Sequence, residues 1–242
     1  MQADIENNLL QALRADDLEL VRPHLKATKV EAGTHFYQPG DLVRTVYFPS
    51  GSAMAAFIIE LADGKGVETA LIGREGAVGG IVSQGRLPAY ARCTVQFPGT
   101  FFTMESARLE EIKLQSMSLR HLFARYADCL MAQIFQTTAC NAGHTIEQRA
   151  AKWLIAAIER TGNSDVRMTQ EQLAAMLGVG RSYISRVISA LKICAIVETK
   201  RGGISVLDID SLRALACDCN EEVKRHFDDV LRGVYPNLLE DA

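Results

Sequence analysis

The sequence predicts an α+β chain with an N-terminal β jelly roll, one long helix and a C-terminal winged helix-turn-helix. Three observations carry that expectation. Between residues 29 and 112, short runs rich in Val, Phe, Tyr, Ile and Thr alternate with glycine turns. Residues 118–140 then run without Pro or Gly. Residues 168–197 have the offsets of two short helices joined at a glycine corner, and a basic hairpin follows. The expected divisions are 1–117 for a jelly-roll domain, 118–143 for the long helix and hinge, and 144–242 for the winged helix-turn-helix with a helical extension.

Composition sets the frame. A chain of 242 residues can bury one large core or two modest ones. Hydrophobic residues at 48% and charged residues at 23% suit a globular protein. No apolar run approaches the roughly 20 residues that cross a bilayer. The opening MQADIENNLL lacks a basic n-region and an apolar h-region. A cytoplasmic location without membrane contact is the resulting expectation.

The net charge of −3 at first argues against nucleic acid, but it is unevenly spread. Residues 145–206 hold nine Lys/Arg against five Asp/Glu, whereas residues 207–242 hold four against nine. Screening limits charge effects to about 8–10 Å, so a local basic module can still bind phosphate. The six cysteines form no CxxC, and the five histidines are dispersed. Cys217 and Cys219 fall in a helical-looking stretch, where residues two apart point to different sides. No metal and no cofactor are expected.

The elements follow in order. Residues 4–27 read as short helices, with Ile5, Leu9, Leu10, Leu13, Leu18, Leu20 and Val21 among charges. Glycine turns at Gly33, Gly40, Gly51, Gly64, Gly73, Gly76 and Gly99 then punctuate strands of five to eight residues. The long helix carries Leu119, Phe123, Tyr126, Leu130 and Ile134, expected to contribute to a dimer contact. It is expected to break at Asn141-Ala-Gly143. Thr145-Ile-Glu-Gln148 is a capping box that starts the next helix at Ile146.

Thr169-Gln-Glu-Gln172 is a second capping box. Leu173, Ala174 and Leu177 give its helix a buried face, and Gly178 falls where the chain must turn sharply. The following helix, about 181–192, buries Ile184, Val187, Ile188 and Leu191. Its other face carries Arg181, Ser182, Tyr183, Ser185, Arg186 and Ser189. With its N-terminus in a major groove, Arg181, Ser182 and Arg186 would meet base edges. Two arginine donors match guanine O6 and N7, while Ser182, Ser185 and Ser189 suit phosphate oxygens. Lys200 and Arg201 sit at the tip of the hairpin, a wing that would grip flanking backbone. Thr169 completes the expected DNA contacts.

These residues resemble the Crp/Fnr family of bacterial transcription regulators. The resemblance spans nearly the whole chain: Gly33…Pro39-Gly40-Asp41…Val46-Tyr47-Phe48…Gly51, the long helix, the capped hinge and the winged helix-turn-helix. The tail from Leu207 to Gly233 looks like a C-terminal extension seen in a proteobacterial subgroup. The resemblance implies a cyclic-nucleotide-binding-like jelly roll and a homodimer on palindromic double-stranded DNA, with RNA polymerase as a further partner. It also implies that the protein is not an enzyme. Where well-known members carry Arg-Glu-Thr at the helix start, this chain has Arg181-Ser182-Tyr183, so an acceptor for cytosine is missing. Cyclic-nucleotide binders use a Gly-Glu-Leu turn and an Arg-Ser/Thr-Ala run. Here Gly79 and Gly80 occupy the turn, and Arg92, two residues after Tyr90, is one position out of register. A pocket at Gly79, Gly80, Tyr90 and Arg92 is therefore expected to take an effector other than cyclic AMP, or none. The oxygen-sensing branch needs N-terminal cysteines, and none precedes Cys93.

Other features have plainer readings. Cys194 lies in an apolar run and is expected to be a small buried residue, a thiol switch being the alternative. Arg74, Glu75 and Arg86 are expected to be solvated charges at glycine turns, service to an unknown ligand being the alternative. The competing function is a ligand-binding sensor or adaptor whose helix-turn-helix contacts protein. No nucleophile elbow or phosphate loop points to an enzyme.

Overall fold

A computed structural model describes residues 5–64, 66–80 and 88–232. Helices α1 (Asn8–Gln11) and α2 (Ala15–Val21) lead through a 3-10 turn, Arg22–His24, into the strands. These are β1 (Lys26–Val30), β2 (His35–Tyr37), β3 (Thr45–Pro49), β4 (Met54–Glu60), β5 (Gly66–Ile72), β6 (Arg92–Phe97) and β7 (Gly99–Glu105). They pair antiparallel in two sheets, ordered β1-β7-β3 and β2-β6-β4-β5.

Apart from the exposed edge strand β1, both faces of each sheet carry buried residues. Ala55, Ala70, Ile72, Cys93, Val95 and Phe101 fill the space between the sheets. Val46, Phe48, Phe102 and Met104 face outward from the first sheet onto α1, α2 and the long helix. Met54, Ala56, Ile58, Leu71 and Phe97 face outward from the second sheet into the helix-turn-helix core. This explains the unbroken apolar run Met54-Ala-Ala-Phe-Ile-Ile59: a strand buried on two sides has no polar alternation.

Helix α3 (Ser106–Gln115) falls within the stretch expected to be strands. It is helical because Leu109 and Ile112, three apart, bury one face. Helix α4 (Met117–Gly143) runs three residues beyond the expected end and passes through Asn141-Ala-Gly143; His144 is its C-cap. Its start is tied to α2, because Ser116 and Ser118 both donate to buried Asp17. Among the described residues, no helix is long and apolar enough to cross a membrane.

Helix α4 is tied through Tyr126 to the segment that follows β5. The Tyr126 hydroxyl accepts from the Ala77 N–H and donates to the Ala77 carbonyl, both at 3.0 Å. Gly76 is required beside it, since a Cβ there would overlap the Tyr126 oxygen. Tyr126→Phe leaves the N–H and the carbonyl of buried Ala77 without this partner. Urea denaturation should show a loss of about 1–3 kcal/mol with an unchanged slope.

Helix α5 (Ile146–Thr161) opens on the Thr145–Gln148 capping box. Strand β8 (Asp165–Val166), α6 (Gln170–Leu177), α7 (Arg181–Ile193), β9 (Val197–Lys200) and β10 (Gly203–Val206) follow, with sheet order β8-β10-β9. Helices α8 (Ile209–Leu215) and α9 (Cys219–Arg232) form the extension. Helix α9 lies along α4: Phe227 meets Tyr126 edge-on, and Arg125 donates to the Val230 carbonyl at 3.0 Å.

Candidate nucleic-acid interface

The corner between α6 and α7 is built by its sequence. Thr169 accepts from the Gln172 N–H at 3.2 Å, and the Gln172 side chain accepts from the Thr169 N–H at 2.8 Å. Leu173, Ala174 and Leu177 are buried. Gly178 ends the helix in the left-handed region at φ +68. Its N–H donates to the Ala175 carbonyl, and that of Val179 donates to the Ala174 carbonyl, a Schellman closure. The chain then restarts at Arg181 and buries Ile184, Val187, Ile188 and Leu191.

Burial of that stripe fixes the opposite face. Arg181, Ser182 and Arg186 are exposed. The Arg186 guanidinium stacks over the Tyr183 ring at 5.0 Å, which restricts its rotamers. Tyr183 in turn donates to Glu147 at 3.2 Å, tying α7 to the first turn of α5. Gly180 supplies no side-chain cap, so the first turn of α7 keeps N–H groups for an outside acceptor. A cleft of 330 Å³ lined by Thr169, Gln170, Arg181, Lys200 and Gly203 separates this turn from the wing. The wing turns at Arg201-Gly202, with Gly202 at φ +77.

Other side chains expected at DNA have partners inside the protein. Ser185 donates to Gln170 at 2.8 Å and thereby pins α7 to α6. Ser189 donates to the Ser185 carbonyl at 2.7 Å. Lys200 is already paired with Asp165 at 3.1 Å and Glu198 at 3.3 Å. Cys194 is exposed, not buried, because α7 ends there and Ala195 turns back at φ +56. The neighbouring Ile193 is 86% exposed.

The proposed dimer residues divide. Leu119, Phe123 and Tyr126 are buried in the protein's own core against the first sheet, so they cannot face a partner. Leu130 packs partly against the inter-sheet core. Ile134 is exposed, and beside it sequence reasoning missed Met131 and Phe135. The apolar spacing around α4 is mixed because α4 has one side on the sheet and another in solvent.

The expected effector residues do not converge. Gly79, at φ +110, is pressed against the Thr45 carbonyl of β3. Tyr90 is 87% exposed. Cys93 enters the inter-sheet core, so its neighbour Arg92 leaves on the other face and pairs with Glu60 at 3.5 Å. Residues 81–87, with Arg86 and the end of the cassette, lie outside the described residues.

A larger cleft, 790 Å³, opens between β5, α5 and α9. Trp153 donates to Glu68 at 2.9 Å and stacks on Phe97. Arg160 pairs with Glu75 at 2.8 Å. Glu75 is therefore an interdomain partner, not a solvated charge. Burial raises the Glu68 carboxyl above its ordinary range, only partly opposed by the Trp153 hydrogen bond and by Lys152 and Arg160. The pair of contacts holds the helix-turn-helix unit against β5, with Gly178 beside Val67.

The Crp-like helix-turn-helix domain model matches residues 148–215. No curated protein sequence matches the chain. Three solved structures are similar over most of their length. FixK2 from Bradyrhizobium japonicum is 14% identical with TM-score 0.68, covering 80% of this chain and 98% of its own. TTHB099, a CRP-family transcriptional regulator from Thermus thermophilus, is 16% identical with TM-score 0.66, covering 78% and 96%. The c-di-GMP-responsive global regulator CLP from Xanthomonas campestris is 15% identical with TM-score 0.64, covering 80% and 99%. Residues 148–215 thus match a Crp-like helix-turn-helix domain, in a chain that shares its fold with FixK2 and with the CRP-family regulator TTHB099.

Proposed function

We propose that the protein is a dimeric, sequence-specific regulator of transcription that reads a palindromic duplex through Arg181, Ser182 and Arg186. One observation carries the reading: beyond the Gly178 corner, both guanidinium groups stand exposed on the first turns of a helix whose opposite face is buried. Arg201 and the cleft beside Lys200 serve the flanking phosphates. Two copies meet along α4 through Met131, Ile134 and Phe135, the side left open by the sheet and by α9. RNA polymerase is the further partner this role requires, the cytoplasm its place, and no catalytic activity is assigned.

The domain divisions proposed are 1–117, 118–143 and 144–242, with the hinge at His144–Thr145. Cyclic AMP is not the effector proposed, since Arg92 is committed to Glu60. An effector that enters the cleft beside Glu68 and Arg160 would act directly on the contacts between the units.

Selection of bound duplexes from a random pool, followed by titration at several salt concentrations, tests the proposal. The expected result is an enriched palindrome whose log affinity falls steeply and linearly with log salt, as counterions leave the phosphates. An interaction with no salt dependence and no enriched sequence would favour a protein-binding adaptor instead.

A further inference from the structure

Four side chains outside the DNA-reading surface converge where α4 ends. Helix α4 runs far enough to place Cys140 and His144 one turn apart. Cys217 and Cys219 were expected on different sides of a helix. Instead Cys217 lies in the break between α8 and α9, and Cys219 begins α9, so both thiols turn toward α4. The Cys140 and Cys217 sulfurs are 3.6 Å apart, and the Cys219 sulfur lies 3.5 Å from His144 Nδ1. All four candidate ligand atoms fall within 4.8 Å of one another.

We propose that Cys140, His144, Cys217 and Cys219 form a structural site for one zinc ion. Zinc takes thiolate sulfur at about 2.3 Å and imidazole nitrogen at about 2.0–2.1 Å; a tetrahedron of those bonds has S–S edges of about 3.8 Å and S–N edges of about 3.6 Å. The two observed separations agree with these edges. A set this compact surrounds one ion and is too small to frame an iron-sulfur cluster. Four protein ligands leave no open position, the mark of a structural site.

The surroundings suit the charged complex better than three thiols. Binding releases one proton from each cysteine, so Zn(II) with three thiolates and a neutral imidazole carries one net negative charge. Arg149, buried at 8% exposure, lies within electrostatic reach of Cys140 and Cys217. Its Nε has no hydrogen-bond partner among the described residues. A buried guanidinium needs an anion, and the thiolates supply it. Gln136 donates to the Cys219 sulfur at 3.2 Å, as an outer partner of a metal-bound thiolate does. Arg149 also donates to the Leu177 carbonyl at 2.9 Å, immediately before the Gly178 corner. The ion would thus join α4, the C-terminal extension and the corner that aims the recognition helix.

The test uses the full chain, purified anaerobically with reductant, stripped by chelator and titrated first with Co(II), then with Zn(II). Cobalt should give thiolate charge-transfer and tetrahedral d–d absorption that saturates at one ion per chain and is bleached by zinc. Cys217→Ser should abolish these bands, and Arg149→Gln should weaken zinc binding about 10–100-fold. Alkylation mapping of the wild type holds even where a variant fails to fold. Zinc should protect Cys140, Cys217 and Cys219, while exposed Cys194 reacts with or without metal. Absence of the charge-transfer band, equal alkylation of all these thiols with zinc present, or a Cys140–Cys217 disulfide that forms regardless of zinc would overturn the site.

Discussion

Arg181→Ala and Arg186→Ala should each weaken binding to the selected palindrome by about 1–3 kcal/mol, roughly 5- to 150-fold, with relaxed base preference at one position per half-site. Arg181→Ala should leave thermal stability unchanged and Arg186→Ala should lower it by no more than about 0.5–1 kcal/mol, because both side chains stand outside the buried stripe of Ile184, Val187, Ile188 and Leu191 and only Arg186 makes a ring contact. Arg186→Ala also removes the stack on Tyr183, so its loss includes the ordering of that ring. Binding to random duplex should fall much less in both variants, since that affinity is carried by phosphate contacts. Ser185→Ala makes the opposite pair of changes. Its hydroxyl bonds Gln170 across the helix pair, so stability should drop by about 1 kcal/mol with base preference intact. Electrophoretic mobility shifts at fixed salt, beside thermal melts of each variant, separate the two classes. Wild-type affinity and preference in both arginine variants would remove the DNA-reading assignment.

What the sequence discloses follows from how local each signal is. Both capping boxes, the Gly178 corner and the buried stripe of α7 depend on residues three to five apart, and all are legible. The jelly roll is legible through its turns, although α3 is hidden because its two buried apolar residues, Leu109 and Ile112, also fit a strand region. Long-range pairings are not legible. Nothing near Glu75 reveals Arg160, which lies 85 residues away. The same distance problem hides the thiol cluster, whose pairs Cys140/His144 and Cys217/Cys219 are each too short to be a motif alone. A Cys-x3-His pair on a helix end and a later Cys-x-Cys are the available signal. Residues 217–219 look helical by composition, which sets the two thiols apart, whereas α8 stops at Leu215 and the chain turns before α9. Helix α4 misleads differently: Leu119, Leu122, Phe123 and Tyr126 serve the protein's own core, while Met131, Ile134 and Phe135, no less apolar, stand on its exposed side.

Arg160→Ala should loosen the helix-turn-helix unit from β5, and Glu68→Gln should tighten it. Arg160 and Glu75 keep 18% and 23% exposure, between a surface pair and a buried one, so losing the arginine is expected to cost about 1–3 kcal/mol. Glu75 keeps only the Gly73 N–H as a donor, and Glu68 loses a nearby positive charge. Burial raises the Glu68 carboxyl, so the docked arrangement holds its proton to higher pH than the undocked one. Docking therefore strengthens as pH falls through that raised value and is fully favoured only below the ordinary carboxyl range. Above it, burying the carboxylate opposes docking. Glu68→Gln removes that opposition and keeps an oxygen for the Trp153 N–H, so the pH dependence should flatten and neutral-pH docking should improve. Hydrogen exchange of β5 and α5 reads the docking directly: faster in Arg160→Ala, slower in Glu68→Gln, with the wild type shifting toward the latter as the solution is acidified. If docking sets the spacing of two recognition helices, linkage requires the two variants to move palindrome affinity in opposite directions. Equal exchange in all three proteins would mean that these contacts do not hold the units together. A shared direction in affinity would mean that docking and DNA binding are uncoupled.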